Sequence, residues 1–178
     1  GCGWLIQIDS ANYHPVNLDD AFRINGLGVR IKYDEVTDVY RCGRNGIIPS
    51  IRISDIGIVA ENVGKLDNNE WNKYSMDPFS MDSAYISGDI LLIRVRYSGG
   101  CQVHDFHLWK LPENALDPPP VELALSHKAH RDVCEAYITR WLAFSLVPIR
   151  QQGKKVVTFY LRGSPEMSAY FGTFTYRY

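Results

Sequence analysis

Four of the five histidines of this 178-residue chain fall between Cys101 and Cys134. They read Cys101-x-x-His104-x-x-His107 and His127-x-x-His130-x-x-x-Cys134. Imidazole and thiolate at such spacings can complete a tetrahedral zinc site. His104, His107, His127 and His130 are therefore candidate ligands of a metal-binding protein or a metal-dependent hydrolase. Two arguments oppose that reading. Residues three apart on an extended strand point to opposite faces, so His104 and His107 diverge if Val103–Trp109 is a strand. Zinc also needs its cysteines as thiolates, which a disulfide does not supply. The alternative makes His104 and Asp105 polar anchors beside a disulfide, with His127 and His130 lining a loop, and expects no metal or other cofactor.

Other catalytic patterns are weaker. Ser126, His127 and Asp132 supply the residue types of a hydrolase triad, but a triad is defined by geometry and any chain of this length contains such a set. The sequence has no Gly-x-Ser-x-Gly nucleophile turn. Asn25-Gly26-Leu27-Gly28 lacks the dinucleotide-binding fingerprint and reads as a turn, and no phosphate-loop Gly-Lys-Ser/Thr occurs. No catalytic residue is assigned, and the chain reads as a non-enzyme.

Aromatic residues are the remaining candidates for ligand contact. Trp4, Tyr13, His14, Tyr33 and Tyr40 gather in the first third of the chain. Small β-barrels of the OB kind stack planar or sugar ligands on one face, whereas the plainer alternative places these rings in a core. Near the C-terminus Phe174, Tyr176 and Tyr178 share a face at period two, which predicts burial or a partner contact.

The elements that must position these residues are strands. Trp4–Asp9, Leu27–Tyr33, Val39–Cys42 and Ser50–Val59 are short β-branched or aromatic runs broken by Asn25-Gly26, Gly28 and Asn45-Gly46. About five short strands in 60 residues predict a small OB-like barrel over 1–60. The stretch 61–83, with Lys65-Leu66-Asp67-Asn68-Asn69-Glu70 and Asp77-Pro78-Phe79, reads as a linker or irregular connection tacked down by Trp71, Tyr74 and Phe79. Strand alternation resumes in Ile90–Tyr97, Val103–Trp109, Val121–Leu125, Val156–Leu161 and Thr173–Tyr178. The proline run Pro118–Pro120 excludes helix before the third of these, and Cys134–Trp141 is compatible with one short helix. Residues 84–178 thus read as an antiparallel β-sandwich. The fold class is all-β: an OB-like barrel followed by a sandwich.

Nineteen Lys and Arg against twenty Asp and Glu leave a formal charge of −1. That argues against nucleic acid or an anionic membrane surface as a partner. The 46% hydrophobic and 12% aromatic content suits a packed core and excludes disorder. No apolar run approaches the ~18–20 residues of a membrane helix, so the chain is expected to be soluble as given. Four cysteines allow three pairings, and the boundary near residue 60 places one pair on each side. This predicts Cys2–Cys42 and Cys101–Cys134, against four buried free thiols, and an oxidising compartment. The opening Gly1-Cys2-Gly3-Trp4 reads as a mature chain from which an export segment has been removed, with Gly1 a tag remnant.

Several strings resemble a known family. Cys2-Gly3-Trp4-Leu5-Ile6-Gln7-Ile8-Asp9, Tyr13-His14-Pro15-Val16-Asn17-Leu18, Gly26-Leu27-Gly28-Val29 and Tyr40-Arg41-Cys42-Gly43 resemble a small OB-type module of bacterial lipoproteins. Tyr97-Ser98-Gly99-Gly100-Cys101, His104-Asp105-Phe106, Leu125-Ser126-His127, Asp132-Val133-Cys134-Glu135-Ala136 and Phe144-Ser145-Leu146-Val147-Pro148 resemble the C-terminal β-sandwich of NigD-like lipoproteins. The resemblance implies an exported, lipid-anchored, two-domain β protein of Gram-negative bacteria, in the periplasm or at the outer membrane or cell surface. It carries no catalytic residue. The expected partner is an envelope protein or glycan, with the membrane reached only through a lipid anchor upstream.

Overall fold

The computed structural model describes residues 2–43, 46–113, 120–163 and 170–178. Asn45 of the expected Asn45-Gly46 turn, and Pro118 and Pro119 of the proline run, lie outside them. Among the described residues the regular elements are strands and three single 3-10 turns, with no α-helix. No helix among the described residues is long and apolar enough to cross a membrane. The chain divides into two compact units, Gly1–Val59 and Ala60–Tyr178.

In the first unit, β1 (Ile6–Ile8) and β2 (Ala11–Pro15) form an antiparallel hairpin. It turns through Asp9, whose φ of 53° is a left-handed conformation that aspartate tolerates better than most residues. β3 (Val29–Cys42) and β4 (Gly46–Ile58) form a far longer hairpin, and β2 runs parallel to β4. The order β1-β2-β4-β3 is an open sheet with two edges. The expected barrel does not close. Closure needs the outer strands to pair along their length, and a three-residue β1 cannot serve a fourteen-residue β3. The runs read as separate strands at Leu27–Tyr33 and Val39–Cys42 belong to the single β3. The polar stretch between them remains paired to β4 through two register shifts, at Lys32/Tyr33 and Val36/Val39. Among the described residues Ile6, Ile51 and Ile53 form the buried hydrophobic centre of this unit, with Ile8, Tyr13, Leu18, Ile31 and Ile56 packed against them. The Cys2–Cys42 disulfide staples the N-terminal segment to the end of β3.

The second unit is a sandwich. It contains β5 (Glu61–Asn62), β6 (Gly64–Lys65), β7 (Ser80–Ser87), β8 (Ile90–Gly99), β9 (Asp105–Lys110), β10 (Val121–Lys128), β11 (Ala136–Ser145), β12 (Val156–Gly163) and β13 (Tyr170–Arg177). One sheet runs β13-β12-β10-β9-β6 and the other β5-β11-β8-β7. Alternate residues of each strand point inward. Leu91, Ile93 and Val95 of β8 and Phe144 of β11 meet Phe106 and Leu108 of β9, Leu123 and Leu125 of β10, and Phe159 and Leu161 of β12. The sheets are mixed and not purely antiparallel: β10–β12, β6–β9 and β5–β11 pair in parallel. Cys134–Trp141, compatible with a helix by sequence, leads into β11 instead, because its ten-residue register with β8 absorbs the segment.

The stretch 61–83 is woven into this sandwich. β5 and β6 extend one sheet each, Met76 bridges His127, and Val63, Leu66 and Tyr74 are buried. Tyr74 donates from its hydroxyl to the Leu125 carbonyl at 2.9 Å, and burial pushes its pKa up to about 12. Two-residue strands carry too little alternation to register as strands in the sequence. At the C-terminus Tyr176 is fully buried, with Phe174 and Tyr178 packed against the same core. Its hydroxyl donates to Asp89 at 2.6 Å and accepts from Arg150 Nε at 2.8 Å, tying β13 to the β7–β8 turn.

Candidate functional site

Within the second unit, strand alternation sends His104, Phe106 and Leu108 inward and His107 outward. The antiparallel register of β9 with β10 sets His127 opposite Phe106, so both rings share that inner face. The His127 imidazole stacks on Phe106, ring centroids 4.3 Å apart and planes inclined by 12°. Tyr97 of β8 leans on both histidines, 4.7 Å from His104 and 5.3 Å from His127, while Phe79 meets His127 edge-on at 5.7 Å. Both imidazoles are buried.

Their polar atoms form one line. Asp132 Oδ2 lies 3.1 Å from His104 Nε2, His104 Nδ1 lies 2.8 Å from His127 Nε2, and His127 Nδ1 lies 3.1 Å from the carbonyl oxygens of both Asp77 and Pro78. Asp132 is delivered by a tight turn, Ala129–Asp132, in which the Asp132 N–H donates to the Ala129 carbonyl at 3.0 Å. His130 and Arg131 both take positive φ there, 52° and 60°. Asp132 Oδ2 also accepts from the backbone N–H groups of Gly100, Cys101 and Gln102 at 2.8–2.9 Å, and Oδ1 from that of Cys134 at 2.9 Å. The Cys134 N–H above all, with the Gln102 and Cys101 N–H groups and His104, holds the Asp132 carboxyl far below the usual carboxylate range. Asp132 thus clamps both sides of the Cys101–Cys134 disulfide. Burial pushes the His127 pKa down, partly offset by the two carbonyls that its Nδ1 faces.

This geometry settles where the expected ligands lie. His104 and His127 come together, but their facing nitrogens are in hydrogen-bond contact. Two imidazoles sharing a tetrahedral zinc ion stand about 3.3 Å apart at the nitrogens. His107 Nδ1 turns to Glu61 at 3.6 Å on the outer face, and His130 Nε2 binds Asp105 at 2.6 Å. The four candidate metal ligands therefore do not converge, because period two splits His104 from His107 and the turn carries His130 to Asp105. That contact chiefly holds the Asp105 carboxyl below its ordinary value. Cys101, Asp132 and Cys134 do place ligand-type atoms within 4.8 Å of one another, but the disulfide leaves no thiolate to bind an ion. The Ser126–His127–Asp132 set is not a triad either. Ser126 accepts from Trp109 Nε1 at 2.9 Å and donates to the His107 carbonyl at 3.2 Å, on the opposite face of β10 from His127. The relay of Asp132, His104 and His127 is a closed polar spine in an aromatic box. The sequence supplied its histidines but missed Asp77, Phe79 and Tyr97 as its walls.

In the first unit the five candidate aromatic residues separate. His14 stacks on Tyr40 with centroids 3.8 Å apart, and Tyr13 meets Tyr33 at 6.2 Å. Trp4, 40% exposed, alone among the five lines a pocket of about 600 Å3. Ile6, Ile8, Leu18, Phe22, Ile24, Leu27, Ile31 and Ile56 supply its apolar wall, and Gln7, Asn12 and Asn25 its side-chain polar groups. No charged residue lines it. Phe22, Ile24 and Leu27 come from the connection after β2. Their apolar side chains in an otherwise polar, Asn- and Gly-containing loop were the signal for them.

Fold and site together define a disulfide-stapled, two-unit all-β protein whose buried polar centre is closed and whose open pocket is uncharged. No model of a known protein family matches the chain, and no curated protein matches it. Solved structures resemble it in fold. A protein named toxin-related from Parabacteroides distasonis is 17% identical over 94% of this chain and 81% of its own, with a TM-score of 0.54. A protein of unknown function, DUF1344, from Bacteroides vulgatus is 14% identical over 94% and 79%, with a TM-score of 0.51. Among the neighbours is also a NigD-like immunity protein from Bacteroides caccae, 14% identical over 83% and 69%, with a TM-score of 0.49.

Proposed function

We propose that the chain is an extracytoplasmic, lipid-anchored cell-envelope protein of the NigD-like kind that works by binding an envelope protein, without catalysis. The observation that carries this reading is the pocket of the first unit. An open sheet with a small core leaves a concave, uncharged pocket of about 600 Å3 with a mixed polar and apolar lining and the half-exposed indole of Trp4 at its wall. Such a pocket suits an uncharged side chain presented by a partner, since a charged group would be desolvated there without a counter-charge. Two disulfides support an oxidising compartment. The closed relay of Asp132, His104 and His127 supports the non-catalytic part. Its ring nitrogens are engaged with one another, with Asp132 and with backbone carbonyls, leaving none to attack or to accept a substrate proton.

The test is a photo-crosslinking residue placed at Trp4 in cells that produce the protein. One discrete protein adduct is expected, and Leu27→Glu, which puts a carboxylate into the pocket wall, should abolish it. Absence of any adduct from Trp4 overturns the reading. So does a turnover that disappears in His104→Ala.

A further inference from the structure

The outer face of the β5-β11-β8-β7 sheet carries a second feature, independent of the pocket. The register sets Tyr85 of β7 opposite Leu92 of β8, and Trp141 of β11 opposite Arg94 of β8, so these side chains share the face turned away from the sandwich core. Tyr85 and Trp141 form an edge-to-face pair with centroids 5.6 Å apart. Leu92, on the same face, is only 1% exposed. Two rows further, Arg96 lies with its guanidinium carbon 5.7 Å from the centroid of the Tyr137 ring, and Tyr137 is 67% exposed. The bulge between Met81 and Ser83 drops Asp82 between the two arginines. Its carboxylate pairs with Arg96 at 2.5 Å but stands 4.0 Å from Arg94, which makes no hydrogen bond among the described residues. Two guanidinium groups thus face one carboxylate. The patch is cationic on a chain whose net charge is −1.

We propose that this face binds an acidic glycan, with Tyr85 and Trp141 stacking against the C–H face of a sugar ring and Arg94 taking a uronate carboxylate. Trp141 and Tyr137 are four residues apart on one strand, about 13 Å, which gives an extended chain two aromatic stations, with Arg94 beside the first and Arg96 between them. Arg94 supplies a planar fork of donors that matches a carboxylate and can also bind vicinal hydroxyls. An acidic peptide is the poorer fit. Peptides that recognise sheets add along an edge through main-chain hydrogen bonds, whereas this surface is a sheet face offering side chains alone. Protein hot spots also combine rings with aliphatic anchors in pockets, and this face has no exposed aliphatic side chain.

The test is calorimetric titration of the whole protein with oligogalacturonate, oligoguluronate and chondroitin oligosaccharides. Maltohexaose serves as the neutral control and poly-glutamate as the acidic-peptide control. Binding of at least one uronate probe is expected, weakening as salt rises. Arg94→Gln, a surface change, should weaken it about tenfold or more, and Trp141→Phe should weaken it as well. Leu27→Glu in the first unit should leave it unchanged, which separates this site from the pocket. Failure of every uronate probe overturns the proposal, as does poly-glutamate binding with equal affinity or indifference of binding to Arg94→Gln.

Discussion

His104 Nδ1 and His127 Nε2 lie 2.8 Å apart inside the second unit, with an acceptor waiting at each outer end of the pair. The Asp132 carboxylate stands at one end and the Asp77 and Pro78 carbonyls at the other. Three contacts in a row then need three protons, whereas two neutral imidazoles carry two. The Asp77 and Pro78 carbonyls can only accept, so they fix a proton on His127 Nδ1. Burial depresses the His127 pKa, so this ring is neutral at about pH 7, and with its Nδ1 proton aimed at the carbonyls its Nε2 accepts from His104 Nδ1. Nitrogen-15 NMR at about pH 7 is expected to show His127 protonated at Nδ1 alone. A His127 protonated at Nε2 alone contradicts that assignment.

Acid should weaken the second unit in two steps. An unfolded histidine takes up its proton near pH 6.5, while His127 in the fold does so only at a lower pH. Between those values the unfolded chain binds more protons, so stability falls as pH falls. Asp132 acts lower down: stability present above its ordinary value of 3.8 is lost as pH drops through that value and beyond, because its folded carboxyl resists protonation. The charged neighbours of the pair are Asp132 and Asp77, with Tyr97 against both rings. Melting temperature should therefore decline from about pH 7 to about pH 5 and again below about pH 4. In His127→Gln, which offers an amide donor to the carbonyls, the first decline should flatten. A wild-type melting temperature that rises over that first interval refutes the assignment.

Replacing the buried ring separates its packing from its polarity. His127→Phe keeps the stack on Phe106 but leaves His104 Nδ1 and the Asp77 and Pro78 carbonyls without their partner. Unsatisfied buried polar groups cost about 1–3 kcal/mol. Denaturant unfolding should show a loss of that order in the second unit, and an unchanged midpoint would mean that the polar contacts add nothing beyond shape.

How far the sequence reveals this centre depends on the range of each interaction. The divergence of His104 and His107 is local, a consequence of period two, and it is legible from Val103–Trp109 alone. The meeting of His104 with His127 depends on the register of β9 against β10, which no local pattern specifies. Asp132 was legible as an acid that could serve His127, but not as the partner of His104, because that role comes from a turn that folds its carboxylate back onto four backbone donors. The same limit applies to the first unit. Alternation marked its strands, but whether they close into a barrel turns on strand length and order, and the charged middle of β3 concealed one long strand as two short ones.

The two disulfides should matter unequally. Each closes a loop, with separations of 40 and 33 residues, and each is worth about 3–4 kcal/mol in the chain-entropy account. The first unit has three buried hydrophobic residues at its centre, whereas the second has a continuous sandwich core. Alkylation without reductant should add no mass, since no cysteine is free. After reduction, hydrogen exchange should show the first unit losing protection while β8 and β10 keep theirs. Cys2→Ser with Cys42→Ser should reproduce the loss in the first unit alone, and equal loss in both units would show that they unfold together.

Gly99 gives the sharpest steric test of the relay. Its φ of 154° lies outside the range that side chains favour, and a Cβ there would sit 2.5 Å from His104 Nε2 and 3.0 Å from Asp132 Oδ2. Those are the two atoms whose contact begins the line of hydrogen bonds. Neither can retreat cheaply, since Asp132 is pinned by four backbone N–H groups and His104 is boxed by Tyr97 and His127. Gly99→Ala should cost about 1–3 kcal/mol as an overpacked site. It should also shift the His104 and His127 imidazole resonances together, because moving one ring moves its partner. A stability loss that left both resonances in place would assign the damage to the backbone of β8 alone and detach Gly99 from the relay.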